Sequence, residues 1–258
     1  MATKQDSAGD SYWIDEQNSL WKIFFNSEHM EQQEKLGERE NVTQVAGCDN
    51  HIVVIGENGL CWGTGNNHNG QLSGGTFAYS YKFERIYGID NVVKVTVGRR
   101  NTVFLDCDGT VWACGDNNSG QILLNHLPRV FSPTIVAGFP QCTAISAGPE
   151  CIYAVDVHGA VWLTGYSGAI NCKEFNVLED NASSVLPRKL NFETPIEYVS
   201  ANENTCLFAS EDGQTLWRCT NRNASTKSIF EDGIKQICET RLLSVVLDRA
   251  GILWTWNP

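Results

Sequence analysis

Residues 91–122 read NVVKVTVGRRNTVFLDCDGTVWACGDNNSGQI. Val92 and Val95 give the early V-x-x-V strand of the unit. Thr102-Val103-Phe104-Leu105 is a short β-branched and aromatic run, which also favours a strand. Asp108-Gly109 then supplies the positive φ of a tight hairpin, and Val111-Trp112 starts a run that pairs back. The unit therefore reads as a small antiparallel meander.

The same unit recurs in both directions. Fifty residues earlier, residues 41–72 read NVTQVAGCDNHIVVIGENGLCWGTGNNHNGQL, so Val45, Gly59, Trp62, Gly65 and Gly70-Gln71 match Val95, Gly109, Trp112, Gly115 and Gly120-Gln121. Fifty residues later, Ile145, Gly148, Gly159, Trp162 and Gly165 hold these places. Weaker copies place Val199, Gly213 and Trp217, then Ile237, Gly251 and Trp254. Ahead of them all, YWIDEQNSLWKIFF reads as the later half of one more unit, with Asn18 in the turn and Trp21 as its tryptophan. A meander of this size cannot bury both faces of its sheet alone, so the copies must stack. Radial stacking also limits exposed edges. The expected fold is all-β, a β-propeller of about six blades, with five to seven allowed and one blade allowed to be incomplete. One tryptophan per blade would fill the wedge between neighbouring sheets.

Composition agrees with a folded chain. Of 258 residues, 42% are hydrophobic and 19% charged, which excludes wholesale disorder. The net charge of −11 argues against a broad phosphate-binding surface, so nucleic acid is not an expected partner. No run of 18 apolar residues marks a membrane span, so no membrane insertion is expected. The start, MATKQDSAGD, is polar and lacks the apolar core of a signal peptide. Ten cysteines contain no C-x-x-C and fall mostly in strand-like runs, the pattern of reduced core thiols. The expected location is intracellular, cytoplasmic or nuclear. Residues 1–10 are expected as a disordered tail and 11–258 as a single propeller domain. A weak helical period runs only through Glu28–Glu38.

The pattern V-x-x-V-x-x-G-x-x-H-x-x-x-L-x-x-D-G-x-V-W-x-x-G-x-N-x-x-G-Q-L resembles the repeat of the regulator of chromosome condensation family. That family includes the chromatin-bound exchange factor for the small GTPase Ran. The likeness is strongest over 41–75 and 91–125, fair over 142–168, and weak over 11–36 and 196–258. It implies a propeller of that type, usually seven-bladed. Here only six tryptophan hairpins are present. The first copy lacks its V-x-x-V strand, and the last lacks everything after its hairpin. Neither residues 1–10 nor Asn257-Pro258 carries a pattern that could supply the missing parts.

No chemical motif survives comparison with the repeat. Gly63–Gly70 lacks phosphate-loop spacing and recurs at Gly115–Gly120, so it reads as a turn. Asp106-Cys107-Asp108-Gly109 lacks the remaining ligands of a calcium loop. The histidines form no metal pair, and His51 reads as a hydrogen-bonding residue at a strand end. No pair of carboxylates is spaced for acid–base work. No catalytic residue, cofactor or metal is expected.

The loop between the first and second strands of each repeat is the informative element. Its equivalent positions are Asp49-Asn50, Arg99-Arg100, Pro149-Glu150, Glu203-Asn204 and Arg241-Leu242. In propellers that this chain resembles, this ring of loops contacts partners, and loops on a rigid scaffold commonly carry binding. The expected contact residues are Asp49, Arg99, Arg100, Glu150, Glu203 and Arg241, a mixed-charge set suited to a protein surface. The long connection from Tyr166 to Phe192 is a second candidate. The leading expectation is a non-enzymatic scaffold presenting a charged loop face to a protein partner. The alternative, which the resemblance permits, is a guanine-nucleotide exchange factor with a small GTPase as partner. A propeller hydrolase built on Asp49, Glu150 and Glu203 is disfavoured, because no other carboxylates or ligands accompany them.

Overall fold

Every described element of the computed structural model is a β-strand, and the strands form six antiparallel sheets in chain order. The structure describes residues 3–5, 11–25, 31–36, 41–48, 51–74, 79–124, 127–166, 186–202, 205–220, 226–239 and 243–256. The first sheet holds β1 (Thr3–Gln5), β2 (Ser11–Ile14), β3 (Leu20–Phe25) and β4 (Glu31–Lys35). The second holds β5 (Val42–Gly47), β6 (His51–Gly56), β7 (Cys61–Gly65) and β8 (Ser80–Arg85). The third holds β9 (Val92–Val97), β10 (Asn101–Asp106), β11 (Val111–Asp116) and β12 (Arg129–Ile135). The fourth holds β13 (Cys142–Ala147), β14 (Cys151–Asp156), β15 (Val161–Gly165) and β16 (Arg188–Leu190). The fifth holds β17 (Ile196–Ala201), β18 (Thr205–Ser210), β19 (Thr215–Thr220) and β20 (Thr226–Ile229). The sixth has three strands, β21 (Ile234–Glu239), β22 (Ser244–Asp248) and β23 (Leu253–Trp256). These six successive meanders are the blades of a β-propeller, the fold that the repeat predicts.

The chain groups into two compact units. One holds the first three sheets, and the other holds the last three with the segments 108–111 and 117–128. Within each unit, neighbouring sheets pack face to face. In the first unit Val53, Ile55 and Cys61 of the second sheet meet Val92, Val95 and Phe104 of the third. In the second unit Tyr153, Val155 and Val161 of the fourth sheet meet Ile196, Cys206 and Phe208 of the fifth. Leu207, Ala209 and Leu216 then carry the core on to Ile234, Ile237 and Val246 of the sixth. Middle strands such as β6, β14 and β18 are buried at every position, because both of their faces are covered. The cysteines act as small core hydrophobes: nine described thiols are free, and Cys61, Cys114, Cys142, Cys151, Cys206 and Cys219 are buried.

The hairpin between the second and third strands explains the recurring Asp, Gly and Trp. Asp15, Asp106, Asp156 and Asp248 each accept the indole N–H of the tryptophan six residues on, at 2.7–2.8 Å. Asp156 also accepts the backbone N–H groups of His158 and Ala160 and so holds the whole turn. The turn glycine adds a link to the next sheet. The Gly59 carbonyl accepts Val92 N–H at 3.0 Å and the Gly159 carbonyl accepts Ile196 N–H at 2.8 Å. Gly59 has φ of 69°, and a Cβ there would press on the backbone of Asn91 at 2.8 Å. In the fifth sheet the turn is one residue longer: Ala209 pairs with Leu216, where Val155 pairs with Val161. That insertion keeps Trp217 opposite Phe208, the place equivalent to Trp162.

Three sequence expectations are corrected. Segment 1–10, expected to have nothing to offer the first sheet, contains β1, which pairs Thr3 with Trp13, Lys4 with Tyr12 and Gln5 with Ser11. Backbone hydrogen bonds make that edge strand, so it needs no apolar signature. The weak helical period of Glu28–Glu38 gives strand β4 at Glu31–Lys35, because β3 offers it a partner edge. The tryptophans are not deep wedges, either: Trp62 and Trp112 pack only partly against the clusters, and Trp217 alone is buried within one. Strand-two residues such as Phe104, Tyr153 and Phe208 fill that space instead.

Candidate functional site

In the second to fifth sheets a backbone hydrogen bond closes the loop between the first and second strands. Gly98 donates its N–H to the Asn101 carbonyl, Gly148 to that of Cys151, and Asn202 to that of Thr205, each at 2.9 Å. Cys48 does the same to His51 at 3.2 Å. In the third and fourth sheets each turn leaves two residues at its tip. In the first unit the third sheet presents Arg99 and Arg100 there, both exposed. In the second unit the fourth sheet presents half-buried Pro149 and exposed Glu150. Arg99 and Arg100 are thus brought together in one turn, and Glu150 occupies the equivalent place on the fourth sheet. Asp49, Glu203 and Arg241 lie outside the described residues, as does segment 167–185 of the long connection.

The tips are fixed from below. The Arg100 carbonyl accepts the Asp116 N–H and the Glu150 carbonyl accepts the Tyr166 N–H, both at 2.9 Å. Gly115 and Gly165, at φ of 111° and 77°, permit this approach, since a side chain at either would collide with those carbonyls. Beneath the first unit's turns, Cys48 donates its thiol to the Gly98 carbonyl at 3.0 Å. The His51 ring meets Thr102 Oγ1 at 2.8 Å, and that hydroxyl donates to the Gln71 carbonyl at 2.6 Å. With its proton committed there, the hydroxyl accepts from His51 Nε2–H. Burial pushes the His51 pKa down to about 3, so the ring is neutral and structural.

The Gly-Gln pairs serve the same end of the sheets. The Gln71 carbonyl also accepts the Cys114 thiol at 3.4 Å, and the Gln121 carbonyl accepts Thr164 Oγ1 at 2.7 Å from the matching strand position. Their side chains accept the Asn69 and Ser119 N–H groups and close their own turns. Of Gly63–Gly70, read as a turn, the first three residues end β7 and the turn follows them: Asn67 Oδ1 accepts Leu72 N–H, as Asn117 Oδ1 accepts Ile122 N–H. It is a structural loop rather than a phosphate cradle.

A buried carboxyl under the loop end of the second unit was not anticipated. Glu239 ends β21 and is 7% exposed. Its Oε2 accepts Asn202 Nδ2–H at 3.0 Å, its own N–H goes to Ser200 Oγ at 2.8 Å, and Oε1 has no hydrogen-bond partner among the described residues. Burial raises its pKa to about 8, against the opposing pull of Ser244 and Arg218. The signal was available in the repeat. The matching positions are Gly47, Val97, Ala147 and Ala201, so a glutamate there breaks an apolar column. Among the described residues no group of three or more His, Cys, Asp or Glu side chains could hold a metal ion. No described helix is long and apolar enough to cross a membrane.

Comparison with known proteins agrees with the geometry. Residues 92–121 match the regulator of chromosome condensation (RCC1) repeat. No curated protein matches the sequence. Among solved structures, human WBSCR16 superposes with a TM-score of 0.80 at 17% identity, over 100% of this chain and 76% of that one. Prp20p of Saccharomyces cerevisiae, described with its binding properties to Gsp1p and histones, gives 0.78 at 16% identity over 96% and 69%. Yeast RCC1 (Prp20) in its structure with bound Kap60 gives 0.78 at 16% identity over 100% and 69%. These identities are low, so the likeness speaks for the fold. A repeat match inside the third blade and superpositions along the whole length agree: residues 92–121 carry a regulator of chromosome condensation (RCC1) repeat, and the chain has the β-propeller fold of these solved structures.

Proposed function

We propose that this protein is a non-enzymatic interaction scaffold whose charged turn tips engage a protein partner. The observation that carries this reading is the Arg99-Arg100 turn. Two adjacent exposed guanidinium groups ride on a backbone locked by the Gly98 and Asp116 hydrogen bonds. Preformed tips lose little conformational freedom on binding, and arginine pairs readily with a partner's carboxylates. Glu150 offers the opposite charge at the equivalent tip, and Asp49, Glu203 and Arg241 extend the mixed pattern in the sequence. The free, buried thiols support a reducing, intracellular setting, cytoplasmic or nuclear. The test is affinity capture by the intact protein beside an Arg99→Glu/Arg100→Glu/Arg241→Glu variant. Loss of specific partners at retained melting temperature is the expected result. Identical captures would remove the loop face from the account.

A second reading is a guanine-nucleotide exchange factor for a small GTPase. It is supported by the superposition on Prp20p, a protein described by its binding to Gsp1p. Release of labelled GDP from a panel of small GTPases decides it: acceleration supports exchange, and none removes it.

A further inference from the structure

We propose that Glu239 is a proton-operated latch on the turn between β17 and β18 of the fifth sheet: neutral, it holds the turn closed, and ionised, it lets the turn open. This goes beyond the loop-face reading and does not depend on it. The latch is a chain of hydrogen bonds within the second unit. Asn202 Nδ2 donates to Glu239 Oε2 at 3.0 Å, and Asn202 Oδ1 accepts the Thr205 N–H at 2.8 Å. The Asn202 N–H closes the turn by donating to the Thr205 carbonyl at 2.9 Å. A side chain of the sixth sheet thus seats the residue on which a turn of the fifth depends. Glu239 is itself held through its main chain, whose N–H reaches Ser200 Oγ at 2.8 Å.

Two columns of the repeat turn polar where they meet. Leu207 pairs with Arg218, whereas Tyr153 pairs with the fully buried Leu163 and Val53 with Gly63. Glu239 stands where the fifth sheet has Ala201 and the fourth Ala147. Arg218 gives its Nε–H to Ser244 Oγ at 3.2 Å, and Ser244 is the residue paired with Glu239. Among the described residues, the carboxyl is faced by Ser200 and Asn202 of β17 and its turn, by Ser244 of β22, and by Arg218 of β19, the charged group of the set. A carboxylate buried to this degree, with Oε1 lacking a hydrogen-bond partner among the described residues, costs more than the neutral acid. Burial accordingly outweighs Ser244 and Arg218 and raises the pKa to about 8. Opening the turn returns the carboxyl to water and to its ordinary 4.5. Opening therefore becomes easier by about tenfold per pH unit between these two values and levels off above the higher one. The loop end of the fifth sheet is thereby tightened by acid.

The test is amide hydrogen exchange of the full-length protein, followed by NMR between about pH 5.5 and 7.5 and corrected for the intrinsic exchange rate. The Asn202 and Thr205 amides report the latched turn. The Gly148 amide, which donates to the Cys151 carbonyl at 2.9 Å, reports the matching turn of the fourth sheet, where the next sheet offers Ala201 in place of Glu239. Protection at Asn202 and Thr205 is expected to fall about a hundredfold across this range while Gly148 stays level. Glu239→Gln keeps an acceptor for Asn202 and cannot ionise, so both amides are expected to stay protected throughout. Constant protection of the latched turn in the parent protein overturns the proposal. So does a parallel fall at Gly148, because the opening then belongs to the whole unit. A fall that persists in Glu239→Gln overturns it as well, because another group is then titrating. The comparison of the two turns stands on the parent protein alone, whether or not the variant folds.

Discussion

The fifth and sixth sheets carry equivalent residues in opposite surroundings. Leu216 and Leu253 follow the same hairpin, yet one is 1% and the other 62% exposed. Trp217 is 5% exposed and sits among Phe192 and Phe208, while Trp254 is 44% exposed and touches Phe230 edge-on. At the turn, Ser210 in the fifth sheet stands where Asp248 holds Trp254 in the sixth. Repeat identity thus fixes where a residue points, and the neighbouring sheet decides what it contributes. Hydrophobic stabilisation follows area removed from water rather than residue type.

The comparison is broken or sharpened by substitutions at matched positions. The largest effect is expected for Leu216→Ala, which empties a site enclosed by the fifth and sixth sheets and costs about 2–5 kcal/mol in denaturant unfolding. A loss under about 1 kcal/mol there would mean that the inter-sheet core is loosely packed. Next is Glu239. Its folded pKa of about 8 lies above its unfolded value of 4.5, so its contribution is present below 4.5 and is lost as pH rises towards 8. Stability is expected to fall by roughly 2–5 kcal/mol across that window, and Glu239→Gln should flatten the melting-temperature profile. An unchanged slope would place the titration elsewhere.

Asp248 behaves oppositely. Indole donation from Trp254 outweighs desolvation and holds its carboxyl below the ordinary 3.8. Its contribution is present above 3.8 and lost as pH falls through the lower folded value. Asp248→Ala should therefore lower the melting temperature at neutral pH by less than Leu216→Ala does, and the deficit should shrink in acid. A deficit independent of pH would mean that the clamp acts by shape alone. The smallest effect belongs to Leu253→Ala, expected within about 0.5 kcal/mol of the parent. A loss near that of Leu216→Ala would show that its exposed position is filled in solution.

Much of this was legible because a propeller repeats its errors as well as its rules. Trp112, Gly109 and Gln121 each stood in a column with their counterparts, and each column has a structural cause: the Asp clamp, the turn that reaches the next sheet, and the carbonyl that accepts from it. Strand β1 was illegible because Thr3-Lys4-Gln5 carries no apolar period, and backbone pairing with β2 needs none. Strand β4, all polar from Glu31 to Lys35, has no inward face to advertise its period. The site was legible in part: Arg99, Arg100 and Glu150 stand at turn tips as the alignment requires. Glu239 was missed, although its column is otherwise the apolar Gly47, Val97, Ala147 and Ala201. The tryptophans misled because one end of an indole is polar, and Asp106 or Asp156 draws that end towards the rim.

The two-residue turns have a further implication. What closes them is main chain: the Gly98 and Gly148 N–H groups and the Arg100 and Glu150 carbonyls. The chemistry shown at a tip can therefore be rewritten a residue at a time while the scaffold beneath stays as it is. Gly115 and Gly165 cannot vary in this way, so recognition is free to drift and its mounting is not.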